Sequence, residues 1–111
     1  MIIVHAEDDQ DQITVLKALY KMNMPESTVF FAKTVNEALE LIVQQHPDAI
    51  VTDYDLKGRQ TGDDLAEQTK GYGIPIIGYN GNHDKFVKSH LFYDLIEKPE
   101  SERLFRRLKE L

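Results

Sequence analysis

Apolar residues in this chain fall into two kinds of run that alternate along its length. Ile2-Ile3-Val4-His5-Ala6 is rich in β-branched residues and stops at Glu7-Asp8-Asp9, which predicts a strand and then an acidic loop. From Asp11 to Met22, Ile13, Leu16 and Tyr20 recur at helical spacing, with Val15 and Leu19 widening the stripe. Asp9 or Asp11 is placed to cap that helix. After the break Met24-Pro25-Glu26-Ser27, Thr28 to Ala32 reads as a second strand. Thr34-Val35-Asn36-Glu37 fits a capping box, and Val35, Ala38, Leu39 and Ile42 share one face of the helix that follows. His46-Pro47 ends it. Ala49 to Thr52 lacks apolar/polar alternation, as expected of a strand buried on both faces of a parallel sheet.

The second half repeats the pattern with weaker signals. Asp63 to Lys70 predicts a short helix with Leu65 and Ala66 as its only strong apolar residues, and Gly71-Tyr72-Gly73 stops it. Ile74 to Tyr79 is a fourth strand, with Pro75 tolerable near its start. Asn80 to Asp84 is a turn-rich loop. Lys85 to Leu91 is expected to form a stunted helix, Phe92 to Glu97 contains a fifth strand, and Ser101 to Leu111 closes the chain as a helix with Leu104, Phe105, Leu108 and Leu111 on one face. Strand and helix alternate five times, which implies an α/β fold with a parallel sheet covered on both faces.

At 111 residues this is one domain, residues 1–111, with 41% hydrophobic and 29% charged residues, as in an ordinary globular protein. No apolar run is long enough to span a bilayer and no basic-then-apolar leader opens the chain, so a cytoplasmic location is the default expectation. The absence of cysteine excludes disulfides, thiolate metal sites and cysteine nucleophiles. A net charge of −6 argues against a nucleic-acid partner and suits a cation or a protein with a basic or apolar docking face.

Charge gathers where strands end. Glu7 and Asp8 follow the first strand, Asp53 and Asp55 the third, and Lys98 the fifth. In open α/β sheets the crevice beyond the carboxyl ends of the strands is where ligands bind. Carboxylates converging there repel one another unless a cation intervenes, and Mg²⁺, a hard ion that takes oxygen ligands, suits them. A carboxylate beside such an ion and a lysine is equipped to accept a phosphoryl group. His5 lies inside the first strand and reads as a packing residue. His46, His83 and His90 have no zinc-like spacing. Phe86, Phe92, Tyr93 and Phe105 read as core, or in part as a docking surface around the last strands and final helix.

Taken in order, the acidic pair Glu7-Asp8, the stretch Ile50-Val51-Thr52-Asp53-Tyr54-Asp55-Leu56-Lys57-Gly58, Gly62, Ile74-Pro75-Ile76-Ile77 and Lys98-Pro99 resemble a response-regulator receiver domain along nearly the whole chain, of the single-domain, chemotaxis-regulator-like kind. The resemblance implies a doubly wound, flavodoxin-like five-stranded sheet in the order 2-1-3-4-5. It implies Asp53 as phosphoacceptor, Asp8 as a direct Mg²⁺ ligand, Glu7 acting mostly through a metal-bound water, the main chain of Asp55 as a further ligand, and Lys98 on the phosphoryl group. The donor would be a histidine kinase or a histidine phosphotransfer protein, and output would go through contacts with a downstream protein. Catalysis would extend to the domain's own phosphorylation and dephosphorylation at most.

Two positions depart from the family. Asn80 stands where a Thr or Ser hydroxyl usually meets the phosphoryl group, and Leu95 stands where a switching aromatic usually precedes the lysine. The segment Asn80 to Lys98 is also short by about one helical turn. These departures raise a rival reading, a pseudo-receiver that keeps the carboxylates and does not switch. A haloacid-dehalogenase-type phosphatase also uses a strand followed by Asp-x-Asp. That motif normally lies near the N-terminus with an acidic pair downstream, whereas here it is central and the pair lies upstream.

Overall fold

The computed structural model describes all residues, Met1–Leu111. Its elements are β1 (Ile2–Ala6), α1 (Gln10–Asn23), β2 (Thr28–Ala32), α2 (Val35–Gln45), β3 (Ala49–Thr52), α3 (Gly62–Thr69), β4 (Ile76–Asn80), β5 (Asp94–Glu97) and α4 (Ser101–Lys109). All strand pairings are parallel and the sheet order is β2-β1-β3-β4-β5, as the family resemblance implied.

Alternation along each strand sorts side chains into two cores. Ile3, Val51, Ile77, Tyr79 and Ile96 face Leu16 and Tyr20 of α1 and Leu104, Phe105 and Leu108 of α4. Val4, Ala6, Ile50 and Ile76 face Val35, Ala38 and Ile42 of α2 and Leu65 and Ala66 of α3. The central strands are buried on both sides, which is why β3 reads as a continuous apolar run. His5 belongs to the first core. Its Nδ1 lies 2.8 Å from the Tyr20 hydroxyl and its ring stacks on Phe31 at 5.3 Å. Burial, helped by the charge of Lys98, lowers its pKa to about 3, so it is a neutral packing residue.

The helix starts follow their caps. Asp9, rather than Asp11, caps α1 by accepting from the backbone N–H groups of Asp11 and Gln12. Thr34 caps α2, but Glu37 reaches back to the N–H of Lys33 instead of closing the box on Thr34. The complete capping box is at α3, between Thr61 and Asp64.

The stunted fourth helix is shorter still than expected, and no α-helix lies between β4 and β5. The segment makes two 3₁₀ turns, His83–Lys85 and Ser89–Leu91. The space a helix would cover is filled by aromatic rings. Phe86 is 5% exposed and packs edge-on to Tyr54 at 5.4 Å and to Phe92 at 4.9 Å. Its ring comes so close to the sheet that a Cβ on Gly78 would lie 2.9 Å from it and 2.7 Å from Leu95. The backbone is held as well, because the carboxylate of buried Asp63 accepts from the N–H groups of Val87 and Lys88 at 3.0 and 3.4 Å. Phe105 is core, whereas Tyr93 is exposed beneath the Arg107 guanidinium, 4.5 Å from its ring centroid.

Candidate phosphoryl and metal site

The sheet ladder runs past the strand ends and fixes the backbones of the charged residues. The N–H of Glu7 donates to Ala32, that of Asp53 to Ala6, and that of Lys98 to Asn80, at 2.8, 2.9 and 2.8 Å. The chain leaves β1 towards β2 and returns on the other side as β3, so the crevice opens between the carboxyl ends of β1 and β3. Glu7, Asp8 and Asp53 meet there, each offering a carboxylate oxygen within 4.8 Å of the others.

Lys98 compensates this negative charge. Its Nζ donates to Glu7 Oε1 at 2.6 Å, to Gln12 Oε1 at 2.6 Å and to Asp53 Oδ2 at 3.1 Å. The other Asp53 oxygen accepts from the N–H of Tyr54 at 2.8 Å, so both oxygens are oriented. Glu7 is 1% exposed, the most buried of the three carboxylates. That burial pushes its carboxyl above the ordinary value of 4.5, against the lowering effect of the Lys98 hydrogen bond and charge, and the charge of Asp53 adds to the rise. Hard oxygen donors, close together and only partly neutralised by one ammonium, fit a small divalent cation.

The other expected site residues divide. Asp55 is exposed, its carboxylate is not one of the clustered three, and it pairs with Lys85, 2.8 Å distant. Asn80 reaches the rim at the end of β4 and is 5% exposed, but its Nδ2 donates to the carbonyl of Asn82 at 2.8 Å. One of its two amide N–H groups is thus engaged in the local turn, as Asn-Gly sequences favour. Gln12, Asp63 and Lys85 were not singled out in the sequence. Gln12 shares the Lys98 ammonium, Asp63 anchors the β4–β5 segment, and Lys85 pairs with Asp55, two residues after Asp53.

No protein-family model and no curated protein matches this chain. Solved structures do. The non-phosphorylated HemR receiver domain from Leptospira biflexa is 26% identical with a TM-score of 0.80, over 97% of this chain and 91% of that one. The fold is that of a response-regulator receiver domain. A response-regulator receiver domain protein from Clostridium thermocellum gives a TM-score of 0.84 at 17% identity, over 98% of this chain and 91% of that one. The response regulator TrrA from Thermotoga maritima, solved in complex with Mg²⁺ and BeF, gives 0.85 at 17% identity, over 98% of this chain and 96% of that one. The receiver fold accounts for the order of the strands and for the rim on which the acidic cluster and Lys98 meet. No helix of this receiver-like chain is long and apolar enough to cross a membrane.

Proposed function

We propose that the protein is a phosphoacceptor of two-component signalling, taking a phosphoryl group from a phosphohistidine donor onto Asp53 and signalling through protein contacts. The observation that carries this reading is the single ammonium of Lys98 held between Glu7 and Asp53, beside Asp8, on the ligand-binding rim of a receiver fold. An Asp53 oxygen attacks phosphorus, the new P–O bond forms as the P–N bond to the donor imidazole breaks, and the imidazole keeps the electron pair. Lys98 follows the developing charge on the phosphoryl oxygens. Asp8, Glu7, Asp53 and the main chain of Asp55 would hold Mg²⁺, which when bound offsets the negative charge on those oxygens. The test is incubation with Mg²⁺ and a small phosphodonor, read by intact mass: one added phosphoryl group is the expected product, and an unmodified chain would overturn the reading.

Asp8 is only half-buried, and its role is to complete the cation site. Asp8→Asn is expected to weaken Mg²⁺ binding by roughly tenfold or more. Thermal stability should hold or rise, since one of three mutually repelling carboxylates is gone. Equal Mg²⁺ affinity by calorimetry in both proteins would remove Asp8 from the site.

The hydrogen bond from Asn80 to Asn82 favours a second reading, a module that does not pass the signal across the sheet. Phosphorylation shifts a conformational equilibrium only by interacting differently with its two states. An Asn80 N–H is engaged in the turn, and Leu95, packed beside Gly78, offers no aromatic ring to swing into vacated space. Beryllofluoride, a phosphoryl mimic, should shift amide resonances around Asp53 and leave those of Leu95 and α4 in place, in the wild type and in Asn80→Thr alike. Large shifts running from Asn80 through Leu95 into α4 would instead show an ordinary two-state receiver.

A further inference from the structure

The segment between β4 and β5 brings a second cation to the rim. Lys85 Nζ lies 2.8 Å from Asp55 Oδ2 and 5.8 Å from the centroid of the Tyr54 ring, and its side chain is 47% exposed. The backbone is anchored just after it by the buried ring of Phe86 and by the hydrogen bond from the Val87 N–H to Asp63, and the Lys85 N–H donates back to the Asn82 carbonyl. Its position is therefore fixed at the base while its four-carbon arm stays free to move.

The ion pair with Asp55 is exposed on both sides, so solvent screens it and holds it weakly. The hydrogen bond and charge of Asp55 raise the Lys85 ammonium above its ordinary value, and the charge of Asp53, two residues away from Asp55, adds to that rise. A phosphoryl group on Asp53 would carry more negative charge than one carboxylate and three acceptor oxygens. At the end of β4, where a donor to that group would be expected, one of the two Asn80 amide N–H groups is already engaged in the turn.

We propose that Lys85 is a second phosphoryl-contacting cation: its ammonium leaves Asp55 and donates to an oxygen of the phosphoryl group held on Asp53. The proposal rests on Asp53 as the phosphoacceptor. It makes the segment 83–88, rather than β5 and α4, the part of the chain that senses the modification. Asp55 is then a competitor that holds Lys85 away from the phosphoryl group until the stronger anion arrives.

The experiment is a double-mutant cycle on the full chain, reading beryllofluoride affinity in the presence of Mg²⁺ by amide NMR titration. Lys85→Met should weaken binding by about three- to fivefold, while Lys85→Arg, which keeps the charge, should stay near wild type. Asp55→Asn should tighten binding when Lys85 is present and have a smaller effect in the Lys85→Met background, because its effect is to release Lys85. Lys85 is exposed, and unchanged β4–β5 amide shifts before titration establish that each variant is folded. Wild-type affinity in Lys85→Met, or equal tightening by Asp55→Asn in both backgrounds, overturns the role of Lys85 alone. A wild type that binds no beryllofluoride overturns the phosphoacceptor reading and the role of Lys85 with it.

Discussion

Asp53→Asn is expected to abolish uptake of a phosphoryl group, while Asp55→Asn should change only its rate or persistence. The two carboxylates are two residues apart and look alike in the sequence, but the fold treats them differently. Asp53 is 7% exposed, its N–H is tied to Ala6, and its two oxygens are held by the N–H of Tyr54 and by Lys98. A nucleophile oriented in this way has already met much of the entropic cost of reaching an in-line geometry. Asp55 is exposed, outside the cluster, and paired with Lys85. An amide at position 53 keeps the shape and removes the anionic nucleophile, so the loss should be complete and not graded. Intact mass after exposure to a phosphodonor reads the result directly. Labelling that survived Asp53→Asn and vanished in Asp55→Asn would reverse the assignment.

The sequence carries the site well because each of its residues lies within two positions of the last apolar residue of a strand. The strand ends are marked by where Ile2–Ala6 and Ala49–Thr52 stop, and a parallel sheet puts those ends on one rim. Glu7, Asp8, Asp53 and Lys98 could therefore be grouped before any contact was known. The segment from Asn80 to Tyr93 could not be read in the same way. Its conformation depends on Phe86 fitting over Gly62 and Gly78, and on Asp63 accepting from Val87, 24 residues later. Local helix propensity loses there to contacts that have no sequence period. Asp63 illustrates the point: in the sequence it is an ordinary acidic residue in the first turn of α3, and in the fold it is buried with its acceptors turned to another segment. Gln12 likewise reads as a polar position on α1 until Lys98, 86 residues away, reaches it.

Lys98→Met should destabilise the protein by about 3 kcal/mol at neutral pH, a large part of a domain's total stability, even though it removes a side chain usually valued for chemistry. Lys98 is 16% exposed at its side chain and is the counter-ion that Glu7 and Asp53 face. Without it, a carboxylate 1% exposed stands beside a second one with one backbone N–H on each and no cation between them. The sign of the pH dependence follows from Glu7. Its folded-state pKa lies above the ordinary value of 4.5, chiefly through burial, so the folded chain holds its proton to higher pH than the unfolded chain does. Stability from this group is thus full below about 4.5 and falls as pH rises through the folded value. Removing Lys98 takes away two of the three effects that lower this pKa, leaving only the hydrogen bond from the Asp9 N–H, and so widens that window; the variant's deficit relative to wild type should grow towards neutral pH and shrink on acidification. Urea unfolding at several pH values checks this, with Lys98→Met/Glu7→Gln as the decisive comparison. The glutamine cannot ionise, so the double variant should recover much of the loss at neutral pH and lose most of the pH dependence. Added Mg²⁺ should also narrow the deficit, because a bound cation stabilises the folded state in place of the missing ammonium. A deficit that is flat with pH and untouched by Glu7→Gln would mean that Lys98 contributes by packing over Tyr79, 5.7 Å from its ring centroid, and not as a counter-ion.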